Sequence, residues 1–339
     1  MKATTQIEFR GYEPGDEAAI LATFNLTFRE VCGEGYQDRT LEQWRWEFEN
    51  NPAGRRILLG MAEDGRVACQ YAGVPIRVWA SADGGRELSF FHAVDSMVHP
   101  DFRKGLRKRS LFIDVAELFF ERYGGKDDHL GFGYPVRPAW RIGERYLGYR
   151  LIRNLDFLRR PCGGPLEDLP IRVERVDRFS ADVDALFERL RDRFECITIK
   201  DSTYLNWRYA DCPNHAYLLL QAMRGGLLAG IAVVRSEGGL APNSATIGDL
   251  LVDPVDGEAL HALISWADRF AGDMGCRHLM TVENPQLPIG QAYERLGFER
   301  EPSAEWLERK LGSRDWTSGL SQEWLAAHWS YALGDSDLF

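Results

Sequence analysis

Long apolar runs, clustered cysteines and an excess of basic residues are all missing from this 339-residue sequence. No run approaches the roughly 20 apolar residues that span a bilayer. The N-terminal stretch MKATTQIEFRGYEPGDE lacks the apolar core of a signal peptide. The formal net charge of −10 argues against a general nucleic-acid-binding surface. These absences predict a cytoplasmic protein whose partners are neither membranes nor nucleic acids.

The cysteines and the usual nucleotide motifs exclude further classes. The sequence has six cysteines without a CxxC pair or a His/Cys pattern of metal-ligand spacing. We interpret them as free thiols in a reducing compartment, and we predict no metal site. Neither GxGxxG nor GxxxxGKS occurs at a predicted strand end, so the dinucleotide and P-loop classes are disfavoured. With 45% hydrophobic and 12% aromatic residues, a chain of this length can build two domain cores.

The two halves of the chain carry the same landmarks in the same order, which indicates a tandem duplication. Each half opens with an alternating strand and an amphipathic helix, and each later contains a two-stranded hairpin. The other landmarks are Trp46-Glu47-Phe48 with Pro52 and Trp207-Arg208-Tyr209 with Pro213, the hairpin turns Asp64-Gly65 and Gly225-Gly226, the central strands AVDSMVHP and IGDLLVDP, and the endings Leu147-Gly148-Tyr149 and Leu296-Gly297-Phe298.

These landmarks predict an α+β protein with a mixed sheet in each half. We place an N-terminal domain at 1–160, a Pro/Gly-rich linker at 161–170 and a C-terminal domain at 171–312. The remaining residues, 313–339, form a tail with three tryptophans and a short amphipathic helix near Gln322–Tyr331. Because such an apolar tail favours burial, we predict that it docks between the two halves. A bolder hypothesis places Asp335, Asp337 or the carboxylate of Phe339 in a substrate cleft.

The segment from Phe90 to Tyr123 predicts an anion site. It contains a strand, a turn at Pro100, a basic loop and an amphipathic helix. Unpaired amides and the dipole at a helix N-terminus both favour negative charge. Five cations in an acidic chain suggest a bound phosphate-bearing cofactor, although a solvated surface is the simpler alternative. The five are Arg103, Lys104, Arg107, Lys108 and Arg109.

The order of elements, the Val98-His99-Pro100 turn, the basic loop and the Leu-Gly-aromatic endings resemble the GNAT superfamily (GCN5-related N-acetyltransferases). The resemblance covers both halves, at 7–160 and 171–310. It implies two tandem domains, each a mixed, mostly antiparallel sheet flanked by helices. In that family the central strand separates from its neighbour and pairs with the pantetheine of acetyl-CoA, while the following loop wraps the pyrophosphate.

The resemblance implies cofactor contacts from the central strand and the basic loop, namely Met97, Val98, Arg103, Lys104, Gly105, Leu106, Arg107, Lys108 and Arg109. The family loop is usually R/Q-x-x-G-x-G/A, but here Leu106 and Lys108 stand where it has glycine. Glycine matters because a Cβ obstructs close approach of phosphate to the backbone. Either side-chain cations replace some amides, or this loop no longer binds the cofactor.

The equivalent turn in the second half argues for the first half as the cofactor site. It runs from Asp253 to Glu258 and carries three carboxylates with no cation. Repulsion of a pyrophosphate there would cost several kcal/mol at close range in a low-dielectric site. The second half is therefore expected to complete the substrate cleft or to support the fold.

Candidate catalytic residues follow from what acyl transfer to an amine needs: a base, oxyanion donors and an acid. The resemblance implies an oxyanion donor among the amides near Met97 and Val98. For the base we consider Asp95 and His92, which strand alternation places on opposite sheet faces. For the acid we consider Tyr134, which is equally well explained as a packed aromatic. The family's tyrosine on the last helix matches Tyr293 in the second half.

The leading hypothesis is an N-acetyltransferase that uses acetyl-CoA, or another acyl-CoA, as cosubstrate and a small amine as acceptor. The acidic chain makes a cationic acceptor such as a polyamine, aminoglycoside or amino sugar reasonable. Two alternatives stay open: an aminoacyltransferase of the cell-wall type, and a non-catalytic module that senses acyl-CoA or holds a partner. In the first half Glu144 replaces the family's helix tyrosine, which favours the last alternative. A homodimer is also left open.

Overall fold

The computed structural model describes residues 6–103, 110–163, 170–236, 241–303 and 309–339. Regular elements follow the predicted order in both halves. The first half contains β1 (Ile7–Gly11), α1 (Glu17–Cys32), α2 (Leu41–Trp44), β2 (Arg56–Ala62), β3 (Val67–Ala80), β4 (Arg86–Val98), α3 (Pro100–Arg103), α4 (Leu111–Tyr123), β5 (Leu130–Gly133), α5 (Arg137–Tyr146), β6 (Arg150–Asn154) and β7 (Asp156–Pro161).

The second half repeats this order and is followed by the tail. It contains β8 (Arg172–Val176), α6 (Asp182–Leu190), β9 (Cys196–Thr198), α7 (Ser202–Leu205), β10 (Leu218–Arg224), β11 (Leu227–Arg235), β12 (Ser244–Val252), α8 (Gly257–Asp273), β13 (His278–Thr281), α9 (Pro288–Arg295) and β14 (Glu299–Pro302). The chain then forms β15 (Lys310–Asp315), α10 (Gln322–His328) and β16 (Trp329–Ser330).

Two mixed, mostly antiparallel sheets are flanked by helices, which confirms the predicted fold class. The first sheet runs β1-β2-β3-β4-β5-β15-β6, and β9 joins it at β3 with β16 beside β9. The second runs β14-β7-β13-β12-β11-β10-β8. Each sheet has a parallel pair at its centre, β4 with β5 and β12 with β13. Within the described ranges no helix has the length and apolar content needed to cross a bilayer.

The two sheets exchange strands. Strand β7 lies between β13 and β14 in the second sheet, while β15 lies between β5 and β6 in the first. The boundaries at 160 and 312 therefore assign most of β7 and half of β15 to the domain of the other sheet. A local apolar pattern predicts a strand without naming its partner, and the crossing after β6 is made at the single residue Leu155. Of the predicted linker, 164–169 lie outside the described residues.

The aromatic motifs of the two halves meet each other. Each forms one turn of π-helix, at Arg45–Glu49 and at Asn206–Ala210. The Trp46 indole donates to the main-chain oxygen of Trp207 at 2.6 Å, and the Trp207 indole donates to that of Trp46 at 2.7 Å. Their rings stack with centroids 5.8 Å apart. This reciprocal pair fixes the two halves face to face, and a core cluster with residues of both halves and the tail packs around it.

Candidate functional site

The central strand β4 is bulged and separates from β5. Two residues, Asp95 and Ser96, face the single Tyr71 of β3, and Asp95 takes a φ of 51°. Strand β5 pairs only with Phe90, Phe91 and His92 of β4. In the described part of the chain, no strand pairs with this edge of β4 beyond His92. This edge is therefore open to a ligand from residue 93 to the bulge, although the Gln70 side chain already donates to the main-chain oxygen of Asp95 at 3.1 Å.

A cavity of about 370 Å³ opens along this free edge. We call it the sheet cavity. Its walls come from β4, β5, α1, α4, the start of α5 and β15, and they are mainly aromatic and aliphatic. Representative lining residues are Ala93, Ser96, Phe91, Phe120, Trp316 and Tyr134. An extended ligand with a mostly apolar arm fits such a slot better than a polar one does.

A second, smaller cavity of about 170 Å³ lies between the two halves. We call it the interhalf cavity. Its lining includes Trp46 and Glu47 from the first half, Trp207 from the second half, and Asp337 from the tail. Asp337 also lines the sheet cavity, so the two cavities share a carboxylate where they approach each other. A ligand from each side can therefore meet at this point.

His92 and Asp95 do not point to opposite sides of the sheet, and that prediction is wrong. The bulge inserts one residue, so Val94 and Met97, which are three apart, both belong to the core cluster shared by the halves. His92 Nε2 lies 3.8 Å from Asp337, and the charge of Asp337 also acts on Asp95. Alternation holds only for a regular strand. Both predicted base candidates consequently border the same site.

Asp95 is held by a guanidinium. Arg39, just before α2, forms an ion pair with Asp95 and lies 3.1 Å from the carboxylate of Glu47. Burial raises the pKa of Asp95, and the Arg39 charge opposes that shift. One cation thus links the central strand to the loop before α2. This pairing favours a positioning role for Asp95.

Glu47 is a candidate that the sequence reasoning missed. It lines the interhalf cavity, and burial raises its pKa to about 7 although Arg39 opposes the shift. A carboxyl group with a pKa near neutrality suits general base catalysis. The sequence does contain a signal for Glu47: it is a carboxylate between two aromatic residues, and the matching position in the second half is Arg208.

Two buried polar atoms of the site have no hydrogen-bond partner among the described residues: His92 Nε2 and the Tyr134 hydroxyl. Their rings meet edge to face with centroids 5.7 Å apart. Burial lowers the pKa of His92 and raises that of Tyr134 well above its ordinary value. Buried polar atoms are normally satisfied, so unpaired ones beside a cavity suggest a ligand that supplies the partner.

Of the predicted cofactor residues, the structure describes only Met97, Val98 and Arg103. Met97 is buried in the core, and Val98 packs partly buried on the opposite face. The Arg103 guanidinium donates to the main-chain oxygen of Val98 at 2.9 Å and pairs with Glu30 at 2.5 Å. The rest of the predicted loop, Lys104, Gly105, Leu106, Arg107, Lys108 and Arg109, lies outside the described residues.

The second half has the same bulged strand, but its site is filled. Gly248 is the extra residue of the β12 bulge, and a Cβ there would come within 1.9 Å of the Phe339 ring. Farther along, the Asn284 side chain donates to the main-chain oxygens of Ala326 and Trp329 at 2.9 and 3.0 Å. The tail thus lies against the splayed ends of β12 and β13. The space that is open beside β4 is taken up by the chain itself beside β12.

The tail contacts both halves. The Trp329 ring meets Phe90 and Phe132 edge to face, whereas Phe339 packs against Tyr209 and Tyr217. Of the three tail groups proposed to enter the cleft, the Asp335 carboxylate is buried and accepts from Thr198 at 2.8 Å. The main-chain oxygen of Phe339 accepts from Arg208 at 2.8 Å. Asp337 is the half-exposed carboxylate that borders both cavities.

In each half a central parallel strand pair opens at a bulge, with antiparallel strands on both sides, as the resemblance to GNAT proteins implies. The chain is similar to a conserved Enterococcus faecalis V583 protein of unknown function, described as a probable N-acyltransferase (12% identity, 95% of this chain and 74% of that one, TM-score 0.65). It is also similar to a GCN5-related N-acetyltransferase from Anabaena variabilis (9% identity, 91% of this chain and 73% of that one, TM-score 0.63).

Saccharomyces cerevisiae N-myristoyltransferase with bound myristoyl-CoA has a similar structure as well (12% identity, 95% of this chain and 86% of that one, TM-score 0.57). No protein-family model and no curated protein matches the sequence. These similarities confirm the resemblance to GNAT proteins at the level of the fold.

Proposed function

We propose that this protein is an acyl-CoA-dependent N-acyltransferase in which the first half binds the acyl-CoA and both halves enclose the acceptor amine. One observation carries the proposal: the free edge of β4 opens into a mainly apolar cavity, while its counterpart on β12 is filled by the tail. The acyl-CoA is either acetyl-CoA or a longer thioester. Its pantetheine would pair with the edge at Ala93–Ser96.

The reaction joins an amine nitrogen to the thioester carbon and releases the CoA thiol. The acceptor enters through the interhalf cavity as an ammonium and must lose a proton before it attacks. Glu47 accepts that proton, and amides along the β4 bulge stabilise the oxyanion. The Tyr134 hydroxyl donates a proton to the departing thiolate, and it regains one from the attacking nitrogen, which loses its second proton as the amide forms. Glu47 returns its proton to solvent. Asp95 acts through Arg39, which keeps Glu47 beside the bulge.

The unpaired polar atoms favour an enzyme over a passive acyl-CoA sensor. A sensor needs only a binding site for the acyl-CoA. Its other buried polar groups would be expected to form hydrogen bonds within the protein. Here His92 Nε2 and the Tyr134 hydroxyl both lack a partner in the described part of the chain, next to a carboxylate shared by two cavities. Polar groups without partners, at the point where the two cavities approach each other, are suited to transfer protons between two substrates.

Calorimetry with acetyl-CoA tests the cofactor site. We expect Arg103→Glu to weaken binding about tenfold or more, because a cation near the pyrophosphate becomes an anion. The matched control is Arg224→Glu in the second half, since Arg224 pairs with Asp256 and Glu258 at the acidic turn. Equal weakening in both variants would point to a general charge effect. No binding at millimolar acetyl-CoA, with no thiol released from any acyl-CoA and amine, would reject the proposed function.

Tyr134→Phe tests the proposed acid. It removes only the hydroxyl from a buried ring, so packing should be preserved while kcat falls about 10- to 100-fold. A thiophenol leaving group needs less protonation, so the deficit should shrink with an acyl thiophenyl ester. Tyr123→Phe is the control, because that hydroxyl donates to the main-chain oxygen of Ile57 away from the cavities. A deficit of equal size with both leaving groups would assign Tyr134 a packing role.

A further inference from the structure

The interhalf cavity is small. Its volume of about 170 Å³ equals the liquid volume of about five or six water molecules. Pockets for drug-sized ligands usually run from about 300 to 1,000 Å³. The cavity therefore takes a compact group rather than a whole oligosaccharide or peptide. Its apolar walls include Val74, Ile76 and the stacked Trp46 and Trp207.

The cavity is lined by more acidic than basic side chains. Three carboxylates (Glu47, Asp335 and Asp337) face two guanidiniums (Arg39 and Arg208). Burial lowers the pKa of both lining histidines, that of His215 to about 4, so neither adds a positive charge at neutral pH. This lining favours a cationic ligand over an anionic one.

The two guanidiniums are already engaged. Arg208 donates to the main-chain oxygens of Gly334, Ser336 and Phe339. Arg39 forms ion pairs with Asp95 and Glu47. Asp337, by contrast, has no Lys or Arg ion-pair partner in the described ranges; the neutral imidazole of His92 lies 3.8 Å away, and the Asp337 side chain is 59% exposed. The cavity therefore offers an uncompensated carboxylate.

His92 is the independent sign of a ligand. The residue is only 6% exposed, it lines the cavity, and its Nε2 has no hydrogen-bond partner among the described residues. A neutral imidazole nitrogen can accept from an amine or donate to a carboxylate. An amine bound at Asp337 could also donate to the unpaired His92 Nε2.

We infer that the acceptor is a small monoamine, an ammonium on a short apolar or aromatic stem, bound between Glu47 and Asp337 with its stem against Trp46 and Trp207. The inference rests on the proposed function and narrows its acceptor. A second ammonium inside the cavity would lie near Arg39 or Arg208, so polyamines and aminoglycosides should be poorer substrates. Cation–π contact with the indoles adds to the binding of one charge.

The test measures kcat/KM at saturating acyl-CoA for butylamine, phenethylamine, spermidine and kanamycin. We expect at least a tenfold preference for the two monoamines. Asp337→Asn should raise their KM about tenfold or more, and Asp337→Glu should restore most of the affinity because it keeps the charge. Asp211→Asn is the matched control, since Asp211 is an exposed carboxylate paired with Arg178. It makes the same change in net charge away from the cavity.

Calorimetry with phenethylamine in the presence of CoA measures acceptor binding without turnover. A preference for spermidine or kanamycin, or a KM for monoamines that Asp337→Asn leaves unchanged, would overturn the inference and leave acyl transfer standing. Binding of phenethylamine that depends on Asp337, without release of thiol from any acyl-CoA, would overturn the proposed function and leave the monoamine site standing.

Discussion

Replacing Glu47 by glutamine should lower kcat for amine acylation by about 10²- to 10⁴-fold at neutral pH, the range expected when a general base is removed. The substitution keeps the size of a buried side chain and its hydrogen-bond acceptor toward Arg39. It removes only the ability to take a proton. Acyl-CoA binding should stay within about twofold, because Glu47 lines the interhalf cavity and not the sheet cavity.

The pH dependence gives this prediction a second signature. A base works in its deprotonated form, and burial raises the pKa of Glu47 to about 7. In the wild-type protein kcat should therefore rise with pH through about 7 and level off above it. In Glu47→Gln that rising limb should disappear. The steady-state profile between pH 5.5 and 9 measures it, with stability checked at each pH.

Glu49→Gln is the matched control for Glu47→Gln. Glu49 lies on the same π-helical turn as Glu47, and its Oε2 lies 3.5 Å from Arg45 Nε. It does not belong to the lining of either cavity. We expect full activity and an unchanged pH profile. If Glu47→Gln keeps both its activity and its rising limb, Glu47 is not the base, and His92→Gln with the same profile becomes the deciding variant.

Local features of the fold could be predicted from the sequence because they depend on near neighbours. The apolar spacing of Ile20 and Phe24 predicts α1, and Asp64-Gly65 predicts the turn between β2 and β3. The exchange of β7 and β15 could not be predicted in this way. A strand pattern says which face is buried, but the choice of sheet is decided by contacts far along the chain.

The sequence predicts some residues of the site but not how they are arranged. His92, Asp95 and Tyr134 were found because polar residues in or beside a central strand are unusual, and all three border the cavities. Their relative placement was not visible, because the bulge at Asp95 shifts the alternation by one residue. Glu47 does not stand out in the sequence, because it lies in an aromatic motif and its proximity to the cavity depends on contacts between the halves.

The duplication separates residues that the fold requires from residues specific to one half. A cation before the short helix pairs with an aspartate at the bulge in both halves: Arg39 with Asp95, and Lys200 with Asp249. A pair that recurs in the filled half serves the fold, which supports a positioning role for Asp95. Glu47 has no such counterpart, since Arg208 occupies the matching position. The difference points to a role found only beside the open cavity.

The Lys200–Asp249 pair should accordingly matter for stability and not for chemistry. Both side chains are almost fully buried, at 3% and 0% exposure. Burial alone would lower the pKa of Lys200, but the neighbouring carboxylates, Asp249 first and then Asp335, together outweigh burial and the pKa is raised. Lys200→Met leaves a buried carboxylate whose remaining donors include the Tyr209 hydroxyl, at 2.7 Å. We expect a loss of about 3–5 kcal/mol in the free energy of unfolding, measured by urea denaturation.

A double-mutant cycle with Asp249→Asn isolates the pair. Asparagine keeps an acceptor for the Tyr209 hydroxyl and removes the stranded charge, so the double variant should be more stable than the sum of the single effects by about 1–3 kcal/mol. Lys310→Met is the control, because Lys310 donates to the Asn154 side chain at an exposed site and should change stability by less than about 0.5 kcal/mol. Strictly additive losses would mean that the two charges are not coupled. The recurrence of the pair would then reflect shared ancestry without a shared structural requirement, and the second half would no longer support a positioning role for Asp95.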